Sequence, residues 1–184
     1  MHKIVCITGL PGAGKSVVSE LFPKNKFAYV RFGQIVEDEL LKQSLQINEE
    51  NEKKIREELR RRYGMAAMAI LNIPKFKRLL KKGNVLGDGL YSFEEYEILK
   101  NDFKKQLIVI AVYAQPELRY KRLKTRKIRP LTKKEAASRD YAEIKNLNKG
   151  GTIAMADFTI TNTGTLKDLE TQTKEVLKKI EKNR

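Results

Sequence analysis

The sequence predicts an α/β fold in which a five-stranded parallel sheet is covered by helices on both faces. Two observations carry the prediction. Five short apolar runs alternate with segments of helical period. The first run, Ile4-Val5-Cys6-Ile7-Thr8, also leads directly into Gly9-Leu10-Pro11-Gly12-Ala13-Gly14-Lys15-Ser16. That octapeptide fits G-x-x-x-x-G-K-[ST], a loop that joins a buried strand to a helix around a phosphate group.

Taken in order, Lys15 to Leu21 reads as the helix after the loop, ended by Pro23 and Asn25. Phe27 to Phe32 reads as the second strand, broken by Gly33. Ile35, Val36, Leu40 and Leu41 recur at helical spacing, which predicts a helix over 34–43. A polar break over 46–51 precedes a long charged helix to Tyr63. Ala66 to Leu71 continues helically toward Pro74, which lacks an N–H and is expected to begin a new short helix over 75–82. Gly83-Asn84 opens the third strand, Val85 to Asp88.

Ser92-Phe93-Glu94-Glu95 forms a capping box for a helix to about Asp102. Gln106 to Tyr113 is the strongest strand signal, and Pro116 starts a helix through about Thr125. Residues 127–131 read as a loop. Thr132 to Glu135 is a second capping box, for a helix to about Leu147. Gly150-Gly151 is expected to punctuate. Asp157 to Thr161 is the last strand, and Leu166 to Ile180 an amphipathic closing helix.

The loop's chemistry follows from its backbone. Glycines at 9, 12 and 14 permit close approaches that a Cβ forbids, so several N–H groups can converge on one point. The helix N-terminus adds roughly half a positive charge there. Lys15 is expected to reach the β- and γ-phosphates of a nucleoside triphosphate, and the Ser16 hydroxyl to coordinate Mg²⁺. Ala13 and Val17 complete the expected binding stretch. A glycine-rich turn that merely ends in Lys-Ser is the competing reading, which the flanking strand and helix disfavour.

The chain of 184 residues is expected to form one domain, long enough to bury roughly 70% of its unfolded surface. No apolar run approaches the ~20 residues of a membrane helix. Met1-His2-Lys3 leads straight into the first strand, so no cleavable signal peptide is expected. Cys6 is the only cysteine and His2 the only histidine. This excludes intramolecular disulfides, fits a reducing cytoplasm and disfavours histidine-based catalysis. Cys6, in mid-strand, reads as a packed core thiol. The formal charge of +15 attracts phosphate-bearing ligands, and the same field suits RNA. Charge alone does not separate nucleotide from nucleic acid.

Asp88 ends its strand at the same sheet edge as the loop. It is either a ligand of a metal-bound water and acceptor of a proton, or a turn residue ahead of Gly89. Arg119, Arg122 and Arg126 fall in one helical stripe. They suit the charge spread during phosphoryl transfer, with a solvated basic face as the alternative. Arg139 can join them if the segment closes over the site. Arg31 and Arg60 are candidates for an acceptor phosphate, or surface charges. Met65, Met68 and Ile70 read as packing.

Five segments run through almost the whole chain: Gly9 to Ser16, Asp88-Gly89-Leu90-Tyr91-Ser92, Tyr120-Lys121-Arg122-Leu123, Ser138-Arg139-Asp140, and Ala156 to Thr165. As an ordered set they resemble the P-loop nucleotide kinases, specifically the adenylate-kinase-like and dephospho-coenzyme A kinase-like proteins of prokaryotes. The resemblance implies a three-layer α/β/α P-loop NTPase with strand order 2-3-1-4-5. It implies an acceptor-binding helical segment over 33–82 and a lid over 123–140. It also places Asn162 and Gly164 against adenine. Departures leave the acceptor open: Gln34 and Glu37 stand where such kinases often carry Asp and Arg, and Tyr91 where they often carry Arg.

The expected function is ATP- and Mg²⁺-dependent phosphoryl transfer to a small nucleotide-like acceptor, of nucleoside monophosphate or dephospho-coenzyme A type. Lys15, Asp88, Arg122 and Arg126 are the expected catalytic residues, with Arg31, Arg60, Asp88 and Arg139 on the acceptor. An RNA- or ribosome-associated ATPase of the same fold, or a non-catalytic nucleotide-binding module, are the alternatives.

Overall fold

Strands β1 (Ile4–Thr8), β2 (Phe27–Arg31), β3 (Asn84–Asp88), β4 (Leu107–Tyr113) and β5 (Phe158–Thr161) form one parallel sheet in the order β2-β3-β1-β4-β5. This computed structural model describes residues 1–24, 26–127 and 129–182. Asn25, expected to help end the first helix, and Ile128, within the expected 127–131 loop, lie outside the described residues. Strand order and fold class are as expected.

The helices are α1 (Lys15–Glu20), α2 (Gln34–Lys42), α3 (Glu49–Tyr63), α4 (Ala67–Leu80), α5 (Phe93–Phe103), α6 (Pro116–Thr125), α7 (Lys133–Leu147), α8 (Lys149–Ala154) and α9 (Leu166–Lys182). Every residue of β1 is buried, because the central strand is covered on both faces. Its side chains alternate between two cores. Ile4 and Cys6 pack with Val30, Phe32, Phe76 and Leu99 under α2, α4 and α5. Val5 and Ile7 pack with Val18, Ile110, Ile160 and Val176 under α1 and α9. Three layers result.

Cys6 is fully buried in the first of these cores, and burial pushes its thiol far above the ordinary range. Its Sγ occupies the space beside Gly87, where an added Cβ would come within 2.8 Å. Glycine in β3 therefore makes room for sulfur in β1.

Three elements differ from expectation. Helix α4 runs unbroken through Pro74. Proline inside a helix costs about 3 kcal/mol, but Pro74 is exposed, while Met68 and Phe76, one on each side of it, are buried. Burial of those flanks holds one helix where local propensity favours two. Gly150 and Gly151 lie inside α8, and the break falls at Asn148, whose φ of 48° is left-handed. A Cβ at Gly151 would sit 2.8 Å from the Phe93 ring, so this glycine serves close packing. Helix α3 starts at Glu49, two residues early, because the Asn48 side chain accepts from the Asn51 N–H at 2.9 Å. Among the described residues no helix is long and apolar enough to cross a membrane.

Candidate functional site

The chain leaves β1 through Gly9 and enters α1 at Lys15. Gly14 has φ +101°, which L side chains rarely adopt, and a Cβ there would lie 2.2 Å from Asn162 Nδ2. The loop thus closes against the segment after β5. Asn162 Nδ2 donates to the Ala13 carbonyl at 2.8 Å, and the Asn162 N–H donates to the Tyr113 carbonyl at 2.7 Å. Ala13 is buried and Val17 half-buried, while Ser16 is exposed in the first turn of α1. Gly164 lies close to the Asp168 carboxylate, which accepts from the Thr165 N–H at 2.8 Å at the start of α9.

Lys15 Nζ donates to the Gly9 and Leu10 carbonyls at 2.8 and 3.2 Å. Burial, with Lys149 next in importance, lowers its pKa to about 7, against the pull of Glu143 and Asp88. An amine so desolvated gains most from an arriving anion.

Asp88 stands beside this loop. Strand β3 pairs with β1, and the register sets Asp88 against Ile7 on one side and Arg31 of β2 on the other. Its carboxylate accepts from the Tyr29 hydroxyl at 2.6 Å. Burial, with that bond next in importance, raises the Tyr29 pKa to about 12.

The arginine stripe of α6 divides. Arg119 is buried and locked into the protein: its Nη1 and Nη2 donate to the two oxygens of Asp140 at 2.8 and 2.6 Å. Arg119 Nε donates to Ala114 O at 3.0 Å, and Nη1 also to Pro11 O at 3.1 Å. It therefore braces the loop and offers nothing to a phosphate, correcting the expectation of a three-arginine stripe. Arg122 remains available. Its Nη2 donates to Asn162 O and Oδ1 at 3.1 and 3.2 Å, and its Nη1 is buried without a partner. Burial lowers its pKa. Arg126 donates to the Arg129 carbonyl and shares a shallow depression with Arg129 and Arg139. The structure thus brings Arg126 and Arg139 together.

On the other side of Asp88 lies a cleft of about 710 Å³. Arg31, Arg60, Asp88 and Arg139 all line it. Arg31 is held by Glu37 and, at 3.1 Å, by Gln34, the two residues that depart from the kinase pattern. Arg139 Nε donates to Glu143 at 3.2 Å. Arg60 differs, since its Nε is buried without a partner. Met68 is a core residue, as expected, and also forms part of the cleft wall.

Several participants escaped sequence reasoning. Lys149 is fully buried, donates to Glu143 at 2.5 Å and sits 4.4 Å over the Tyr91 ring. Arg56 and Arg129 reach the cleft from α3 and from the loop after α6, both pairing with Glu49 and Glu52. Asp140 lay within the quoted Ser-Arg-Asp segment, but no spacing rule links it to Arg119. For Lys149 there was no signal, because lysines are rarely buried.

The residues fit a triphosphate. The cradle at Gly14, the desolvated Lys15 amine and the unpartnered Arg122 Nη1 all favour an anion. Among the described residues no group of three or more His, Cys, Asp and Glu could hold a metal alone. A Mg²⁺ ion here would rely on the Ser16 hydroxyl, Asp88 and the phosphates themselves, which is how that ion is usually bound.

A parallel sheet in this order with a phosphate loop after its central strand defines a P-loop NTPase fold of the kinase-like type. A shikimate kinase from Bacteroides thetaiotaomicron superposes with TM-score 0.61 at 14% identity, covering 97% of this chain and 98% of that one. A gluconokinase from Sinorhizobium meliloti 1021 gives 0.59 at 12%, covering 99% and 94%. At such identities the likeness is one of fold. Residues 5–146 match the family described as AAA domain. The chain is also 36% identical over 181 residues to a UPF0200 protein of Thermococcus kodakarensis, covering 96% of this chain and 97% of that one. It belongs to the AAA domain family and to the UPF0200 proteins.

Proposed function

We propose that the protein is an ATP- and Mg²⁺-dependent phosphotransferase acting on a small, nucleotide-like acceptor. The position of Asp88 carries this reading. It lies in register with the strand that feeds the loop, and it lines the cleft that also holds Arg60 and Arg139. An acceptor in that cleft meets a carboxylate suited to orient its attacking oxygen and take its proton.

In this reading Lys15 exchanges its two loop carbonyls for the β- and γ-phosphates. Arg122 and Arg126 stabilise the charge on the transferring group. Bound Mg²⁺, held through Ser16, supplies neutralisation of phosphate charge. Arg60, with its unpartnered Nε, anchors the acceptor's anionic group, and Arg31 and Arg139 flank it. Asn162 and Gly164 border the adenine. Residues 33–82 form the acceptor segment. Residues 123–140 form a lid that keeps water from competing for the phosphoryl group.

The test is ADP production with nucleoside monophosphates, with dephospho-coenzyme A and with no acceptor. One acceptor should raise the rate well above the acceptor-free level, and Lys15→Ala should remove most of that rise while leaving the far-UV spectrum intact. Turnover undiminished in Lys15→Ala, or ADP formed at one rate regardless of acceptor, would overturn the proposal.

A further inference from the structure

The end of the sheet opposite the phosphate loop carries a second charged surface. Lys26 precedes β2, Lys82 precedes β3, Lys3 precedes β1 and Lys105 precedes β4. The strand order sets these four lysines in a row across adjacent strands. The register, with Phe27 against Asn84 and Ile4 against both Val85 and Leu107, keeps them within two residues of one another along the strands. At about 4.8 Å between strands the row spans about 14 Å.

Hydrogen bonds hold the row together. Lys3 Nζ donates to the Lys105 carbonyl at 3.0 Å, the Lys3 N–H donates to Asn84 Oδ1 at 2.9 Å, and Gln106 Nε2 donates to the His2 carbonyl at 3.1 Å. Lys26, Lys82 and Lys105 are exposed, as are the adjacent Lys81 and Lys104. The end of α9 adds Lys178, Lys179 and Lys182, and its Glu181 pairs with Lys26 at 3.0 Å.

Lysines at helix C-termini complement the helix dipole, which accounts for those of α9. It does not account for Lys3 and Lys26, which precede strands. The open hollow beside Lys26, lined by His2, Gly83, Asn84 and Glu181, carries a carboxylate that disfavours a small anion, so the row of hydrated point charges matches a repeating polyanion better. Exposed aromatic rings lie elsewhere: Tyr29 bonds Asp88, Tyr113 ends β4 at the opposite end of the sheet, Tyr63 ends α3 and Tyr141 lies in α7. The face thus lacks the aromatic platform that single-stranded bases stack on, and its exposed Met1 is a single apolar side chain, not the amphipathic apolar stripe that enters a membrane.

We infer that this face docks the phosphodiester backbone of a nucleic acid duplex, independently of sequence. Because it lies across the sheet from the phosphate loop, duplex and nucleotide can be bound together.

Fluorescence anisotropy of a labelled RNA duplex, titrated with the full chain at several KCl concentrations, tests the inference. Wild type is compared with the triple variant Lys26→Gln/Lys82→Gln/Lys105→Gln and with each single variant, all checked for folding by circular dichroism. Each lost phosphate contact should lower the slope of log K against log salt by about 0.9, and the triple variant should bind at least about tenfold more weakly. A DNA duplex should behave similarly, since the backbone is shared. The inference fails if the charge-removed variants bind as wild type does. It fails equally if excess ATP displaces the duplex, or if phosphatidylserine vesicles bind where the duplex does not.

Discussion

Asn162 joins three parts of the site. Its Nδ2 donates to the Ala13 carbonyl at 2.8 Å, while its Oδ1 accepts from Arg122 Nη2 at 3.2 Å. Substituting Asn162 by Ala should cost about 1–3 kcal/mol of stability through buried groups left unpaired. Gly14→Ala should be destabilising as well, because its Cβ would meet Asn162 Nδ2 at 2.2 Å. In the double variant Gly14→Ala should cost less than it does alone, and urea denaturation of the four proteins reads that coupling.

The Arg119–Asp140 pair is buried on both sides. Removing one partner strands a charge, so Arg119→Met should cost about 3–5 kcal/mol. Arg119→Met/Asp140→Leu should recover much of it. A midpoint for Arg119→Met equal to that of wild type would show that the pair does not brace the loop.

Lys15, with its pKa lowered to about 7, is mostly neutral in the free protein at pH 8. A bound triphosphate favours the charged amine, so nucleotide binding at pH 8 should take up close to one proton. Above pH 7 the affinity should fall by up to about tenfold per unit. Titration calorimetry in two buffers of different ionisation enthalpy measures the proton. The unfolded chain binds more protons than the native one between about 7 and the ordinary 10.5, so this group makes stability rise with pH across that window.

Glu95 is raised to about 7, chiefly by burial, against the Tyr91 and Ser92 N–H groups that donate to it. The native state therefore binds more protons than the unfolded one between the ordinary 4.5 and about 7. The contribution of Glu95 is full below about 4.5 and is lost as pH rises through about 7. Relative to Glu95→Gln, wild type should lose stability over that range, which chemical denaturation at pH 4.5, 6 and 8 resolves. A constant difference would mean that the carboxyl titrates alike in the folded and unfolded chains.

The fold was legible because its signals are local. The continuous apolar run of β1, the capping boxes at Ser92 and Thr132, and the glycine loop each depend on a few adjacent residues. Continuity through Pro74 was not, because it depends on what Met68 and Phe76 pack against. At the site, the place of Lys15 at the start of α1 was legible from the glycine motif, and that of Asp88 from the end of its strand. Arg119 and Arg122 share a stripe and differ only in their distant partners, Asp140 and Asn162. Lys149 is set in place by Glu143 and Tyr91, neither of which announces it in sequence.

The fully buried Cys6 thiol, the only one in the chain, sits on the central strand and packs against Gly87. A thiol-reactive dye can reach it only when the sheet itself comes apart. Labelling kinetics thus report how often the whole molecule opens, with no engineered probe required.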